Sequence, residues 1–219
     1  MKLFIYGAGG AGLETCDLVR RNETIRCRYT DVCFVDDFAA EEEYYGTKRI
    51  HFTSCREHME DDGAAFIVAA GEPAVRELLY EKVKSAGCSF ATLIDETAVI
   101  SDTALIGEGC IIQAHAVVSS EAVIKENCMF MLQTIVGHHA VVESHCVASP
   151  KATVGGYSHV GAGAFLGLGS SMMQGVDIGS GAIVGMGSMV FKNVEDGATV
   201  IGNPARVTKG NSEHKVFNK

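Results

Sequence analysis

Tryptophan is absent from this 219-residue chain, proline occurs three times, and no two of the eight cysteines form a CxxC pair. Without paired or densely spaced cysteines (Cys16, Cys27, Cys33, Cys55, Cys88, Cys110, Cys128, Cys146), no disulfide framework is expected, and reduced thiols in a cytoplasmic setting fit best. A basic surplus is lacking too. The formal charge is −9, spread along the chain, which argues against nucleic acid or an anionic membrane as the main partner. A small phosphate-bearing ligand needs only local donors and stays open. No apolar run approaches a membrane span, so no membrane insertion is expected, and "MKLFIYGAGGAG" meets glycine too soon for a signal-peptide core. What is plentiful is glycine, 25 residues, which suggests many tight turns. With 47% apolar and 21% charged residues, the chain has enough material for a real core.

Residues 1–95 have the pattern of a small Rossmann-like α/β unit. "LFIYG" is a buried strand that runs into Gly7, Gly9, Gly10, Ala11 and Gly12, and "LETCDLVRRN" follows with helical spacing. "DVCFVDD" is a second strand ending at Asp36 and Asp37, and "AAFIVAAG" a third. "EPAVRELLYEKVKSAG" is a helix stopped by Gly87, and "CSFATLID" a last strand. Strand, crossover helix and strand predict a parallel sheet. About 95 residues are too few for a full two-half dinucleotide fold, but a half-sized unit still offers a helix N-terminus to a phosphate.

Residues 96–219 obey another rule. From Thr97 to Lys192 the chain divides into hexads such as TALIGE, QTIVGH, HAVVES and GAIVGM without an insertion. The fourth position is apolar throughout, and the second is Ala, Ser, Thr or Cys everywhere except Val176. Side chains alternate along a strand, so these two positions point inward together, the large one filling a prism and the small one letting the corner close. Three hexads make one triangular coil of 18 residues, and coils stack at about 4.8 Å, giving an all-β solenoid. The third position points outward yet is mostly apolar, as at Ile111, Val117, Met129, Ile135 and Val141, which predicts a packing partner.

On this grid His138 and His139 occupy an exposed corner, above Ser120 and Glu121 and below Gly156 and Tyr157. An isolated surface histidine is usually inert, a histidine set can hold zinc, and a neutral imidazole is a general base suited to neutral pH. The domain order, the hexads, "IVGHH" and the ending "VIGNPARV" together resemble the hexapeptide-repeat sugar O- and N-acyltransferases. That family includes sialic acid O-acetyltransferases and nucleotide-aminosugar N-acetyltransferases of bacterial surface-glycan pathways. The resemblance implies a left-handed parallel β-helix, a homotrimer, acetyl-CoA as co-substrate and a sugar or nucleotide-sugar acceptor.

It also implies site residues. His138 matches the family's catalytic base. His139 stands where an Asp or Glu usually orients that base, so Glu121, one coil beneath, is the candidate acid, with Glu143 second. Gly9, Gly10, Ala11, Asp36, Asp37 and Gly71 match the positions that hold the sugar nucleotide. Val147, Gly156, Gly167 and Arg206 match positions near acetyl-CoA; some members carry a histidine at the place of Val147. No metal is expected: the γ-class carbonic anhydrases share the prism, but His138 and His145 are spaced more widely than that group's close pair, with His115 as third candidate. The alternatives are an acetyltransferase for a small acceptor such as serine, and a nucleotide-sugar-binding scaffold without catalysis.

Overall fold

The computed structural model describes residues 1–40, 42–58, 63–210 and 215–217. The N-terminal sheet has the strand order β3-β4-β2-β1-β5. Its strands are β1 (Lys2–Tyr6), β2 (Asp31–Val35), β3 (Glu42–Tyr44), β4 (Thr47–Ile50) and β5 (Ala64–Val68). β1 is central and pairs in parallel with both β2 and β5. Every one of its residues from Leu3 to Tyr6 is buried, as expected of a parallel strand covered on both faces. Helix α1 (Gly10–Arg21) buries Gly12, Thr15, Cys16, Leu18 and Val19, the three-and-four spacing of one helical face. A short α2 (Glu23–Arg28) follows, capped by the Asn22 side chain on the Ile25 N–H. Helix α3 (Pro73–Ser85) starts with proline in its first turn and is followed by Gly87 at φ +74°. The β3–β4 hairpin gave no clear signal in sequence.

The expected last strand, "CSFATLID", is a correction. Only Phe90 bridges to this sheet, through Phe66, while Leu93–Ile94 form the first strand of the solenoid. The second half is a three-sided parallel β-helix. Two-residue strands recur at every sixth residue from Val99–Ile100 to Met189–Val190, and those up to Ser171–Met172 pair with the strand 18 residues on, as Val117 does with Ile135. Second- and fourth-position side chains, among them Cys110, Ile112, Ala140, Val142 and Val160, form one buried core. Every sixth residue from Gly109 to Gly187 has a positive φ of 55–72°, so each corner turns through a left-handed residue.

The three faces differ. On the eight-stranded face, the outward residues Ile111, Met129, Val147 and Phe165 pack against Leu3, Ile5, Ala8 and Ala69 of the N-terminal domain. A packing partner for the apolar third positions therefore exists within the chain, on one face. On the six- and five-stranded faces Val99, Ile135 and Leu105 remain exposed. Polar ties join the two halves. Arg21 donates to Asp95 at 2.7 Å and Gln113 to Glu14 at 3.1 Å. Fully buried Arg76 donates to the carbonyls of Val68, Ala70 and Asn127 and to Asn127 Oδ1. Burial lowers the Arg76 pKa to about 10, so it stays charged at neutral pH. Among the described residues, no helix is long and apolar enough to cross a membrane.

Candidate active site

His138 and His139 lie on the corner between the strand at Ile135–Val136 and the strand at Val141–Val142, and both are exposed. His139 is the left-handed residue of that corner, φ +57°. The chain turns there from one face of the prism to the next, and the two adjacent side chains leave from one turn. Their Nδ1 atoms stand 3.3 Å apart, a long hydrogen bond. One coil above, Tyr157 occupies the matching left-handed position, φ +55°. Its ring stacks on His139 at 4.6 Å and 22°, and meets His138 edge-on at 5.0 Å and 84°. The three rings form a cluster that fixes the plane of His138.

Gly156 completes it. A Cβ at this residue would come within 2.8 Å of His138 Cε1 and Nε2, so the imidazole occupies the space a side chain would fill. The missing side chain of Gly156 thus has a packing reason of its own: it accommodates the His138 ring. Gly167 also has a packing reason, since a Cβ there would meet the backbone of the next coil at Met186 N, 2.6 Å away.

The acceptor edge is built differently. Gly7, at φ +114°, approaches Ala69 O, and a Cβ on Gly12 would lie 2.0 Å from Gly7 O. These two glycines are required by the fold. Gly9, Gly10 and Gly71 would meet nothing within 4 Å. They face open space beside the first turn of α1, whose N-cap Gly9 makes no side-chain bond, and Ala11 is half-buried next to them. The crevice between β1 and β5, where the chain order switches sides, is where α/β sheets bind ligands.

Residues 2–83 match the model of the PglD N-terminal domain. A stretch of 111 residues is 32% identical to a UDP-N-acetylbacillosamine N-acetyltransferase of Bacillus subtilis (strain 168), covering 50% of each; the match thus spans half the length of that curated relative. The acetyltransferase domain of PglB from Neisseria gonorrhoeae FA1090, solved with acetyl coenzyme A, superposes with a TM-score of 0.88 at 28% identity, over 94% of this chain and 98% of that one. PerB from Caulobacter crescentus, solved with CoA and GDP-perosamine, gives a TM-score of 0.84 at 25% identity, over 95% and 98%. Over nearly its whole length the chain is similar to acetyltransferases of known structure, among them a perosamine N-acetyltransferase.

Several candidate residues lie away from the histidine corner. Val147 is 1% exposed, locked among Met129, Phe165 and Leu93 under the N-terminal domain, so it presents no surface to acetyl-CoA. Glu121 is exposed at its own left-handed corner, and its hydrogen bond runs from its backbone N–H to Thr103 Oγ1. Glu143 pairs with His159 at 3.3 Å. Neither carboxylate contacts the histidine pair among the described residues. His115, His138 and His145 sit at three different corners of the prism. No group of three or more metal-ligating side chains gathers among the described residues. His145 is buried, accepting from Asn127 Nδ2 at 2.9 Å, and burial lowers its pKa despite the nearby carboxylates of Glu77 and Glu126. Arg206 is exposed, and its guanidinium donates to Ala205 O.

At the acidic pair the structure separates two roles. Burial pushes the Asp37 carboxyl up, but the Lys82 ammonium, the Tyr6 hydroxyl and the Phe52 N–H together hold it below its ordinary value. Lys82 Nζ is 2.5 Å from Asp37 Oδ2 and the Phe52 N–H donates to Oδ1 at 2.8 Å. Asp37 is therefore an internal anchor, and Asp36 is the half-buried acid beside it. The sequence places Tyr157 but assigns it no role, and it does not point to Arg76, Tyr6 or Lys82. For Tyr157 a signal existed, since it lies 18 residues after His139.

Proposed function

We propose that the chain transfers acetyl from acetyl-CoA to the amino group of a nucleotide-linked sugar, with His138 as general base. The observation that carries this reading is the His138 imidazole on an exposed corner, seated over Gly156 and braced by His139 and Tyr157. The likeness to sugar N-acetyltransferases supports amine over hydroxyl as the acceptor. Acetylation of serine is less well supported, because the N-terminal crevice suits a phosphate-bearing ligand.

A base that works through Nε2 carries its neutral hydrogen on Nδ1. That hydrogen points to His139 Nδ1, whose lone pair accepts it. Nε2 then takes the proton of the acceptor amine as its nitrogen attacks the thioester carbonyl, and the C–S bond breaks to release CoA thiolate. No acyl-enzyme is needed. His139 thus takes the place of the usual carboxylate as a neutral acceptor, with Tyr157 stacking to hold its ring. Arg206, on the strand Arg206–Gly210, is a candidate for a CoA phosphate.

The placement of the two halves supports a homotrimer. The N-terminal domain docks on the eight-stranded face, whereas His138 stands on the opposite edge of the prism. An acceptor held at the Gly9–Gly10 loop then reaches the His138 of a neighbouring copy, and the exposed Val99, Leu105 and Ile135 supply apolar contact. The eight free cysteines fit a reducing compartment such as the cytoplasm, and a role in surface-glycan synthesis fits the acceptor class.

The test is thiol release from acetyl-CoA with a panel of nucleotide aminosugars. His138→Ala is expected to lower kcat by about 10²–10⁴-fold. Tight nucleotide-sugar binding without any turnover would instead mark a scaffold, the reading that the replacement of the acid by His139 favours.

A further inference from the structure

The loop that leaves β2 is held at many points while one large side chain is left free. The Asp36 N–H donates to Ile50 O at 2.9 Å, and Asp36 Oδ1 accepts the Phe38 N–H at 2.9 Å. Asp37 is fastened to Tyr6, Lys82 and the Phe52 N–H. His51 Nε2 contacts Ala39 O at 2.7 Å, and Arg49 Nε donates to Ala40 O at 3.1 Å. Between these ties the Phe38 ring is fully exposed. Other aromatic rings of the domain have partners: Phe4 stacks on Phe66, Tyr6 on Phe52, and Phe34 meets Tyr44. A phenyl ring that belonged to the core would be in it.

Its position has a meaning in this sheet. Where a nucleotide lies across the C-terminal ends of such strands, phosphate sits at the first helix N-terminus and ribose at an acid ending the second strand. Here those places are Gly9–Gly10 and Asp36, and the next place outward is that of the base. Phe38 stands there.

We propose that Phe38 is a stacking platform for the nucleobase of the acceptor, a specificity residue that selects a nucleotide-linked sugar over a free sugar or sugar phosphate. This rests on the nucleotide-sugar reading above. A base presents a π-face whatever its identity, so Phe38 adds affinity without choosing among bases. Because the loop is pinned beforehand, little ordering is lost when the ring is covered.

The experiment measures calorimetric binding of uridine diphosphate, guanosine diphosphate and inorganic pyrophosphate to the full chain, in wild-type, Phe38→Ala and Phe38→Trp forms. Phe38→Ala is expected to weaken both nucleotides by about 5- to 150-fold. Pyrophosphate should bind equally to all three forms, and Phe38→Trp should restore the nucleotides. The idea is overturned if wild type binds neither nucleotide, if Phe38→Ala binds them unchanged, or if pyrophosphate weakens in parallel, which would indicate a displaced loop. These outcomes separate from those of the catalytic reading. Nucleotide binding that depends on Phe38 without thiol release refutes catalysis alone, and turnover indifferent to Phe38 refutes the platform alone.

Discussion

Gly156→Ala is the sharpest test of the site, because one methyl group and one ring compete for the same space. The added Cβ would stand 2.8 Å from Cε1 and Nε2 of His138. Non-bonded carbons settle at about 3.5–4.0 Å, so the ring must move by about 1 Å. His138 is an exposed side chain and can swing aside, so the fold should lose no more than about 1 kcal/mol. A base misplaced by about 1 Å costs about 10²-fold in rate. The expected result is a kcat about 10²-fold down with an unchanged melting temperature. Gly155→Ala is the control. Its Cβ would lie 2.5 Å from Gln174 N, which is backbone of the next coil and cannot swing away. That variant should lose about 1–3 kcal/mol of stability. Thiol-release kinetics and thermal unfolding read both. A well-folded Gly156→Ala enzyme with kcat within about twofold of wild type would show that the working ring does not lie over Gly156.

Three further outcomes follow from the same geometry. His139→Asp keeps an acceptor for the His138 Nδ1 hydrogen and makes it anionic, strengthening the bond by about 1 kcal/mol, so kcat should rise about fivefold. A fall in the steady-state kcat would show that His139 does more than stand in for a carboxylate. Arg76→Ala orphans the buried carbonyls of Val68 and Asn127 and the buried Asn127 Oδ1, at about 1–3 kcal/mol each, so the urea midpoint should drop by the equivalent of at least about 3 kcal/mol. Acidification should destabilise the fold through His145, which is buried neutral with its pKa lowered from 6.5. The unfolded chain takes up its proton first as pH falls below 6.5, so stability present above that pH is lost as pH falls toward the depressed folded value. His145→Asn, which suits the left-handed φ of +65°, should flatten this part of the urea-midpoint profile.

The β-helix was legible because its period is short and its inward positions obey one rule, so a simple count placed His138 and His139 on a corner beneath Gly156 and Tyr157. What the count lacks is the direction of each side chain. It found Gly156 but could not say whether a ligand or a neighbouring ring fills the space beside it. It placed Val147 near the base in sequence, although three sides divide a coil and Val147 turns onto the face that the N-terminal domain covers. Asp37 was visible as an acid, but its neutralising partners Tyr6 and Lys82 arrive from a different strand and helix. Long-range polar pairings of that kind leave no periodic trace.

The corner residue of each coil is left-handed, a conformation that disfavours any residue with a Cβ by about 1–2 kcal/mol. From Gly163 to Gly187 the corners are all glycine, whereas from His115 to Tyr157 each carries a side chain. Side chains retained against that cost are candidates for use. Among them are His139 and Tyr157, which brace the His138 ring, and Asn127 and His145, which tie Arg76 into the domain interface. The strained corners therefore cluster in the coils that hold the site and its docking contacts. The glycine corners beyond them do no more than turn the chain.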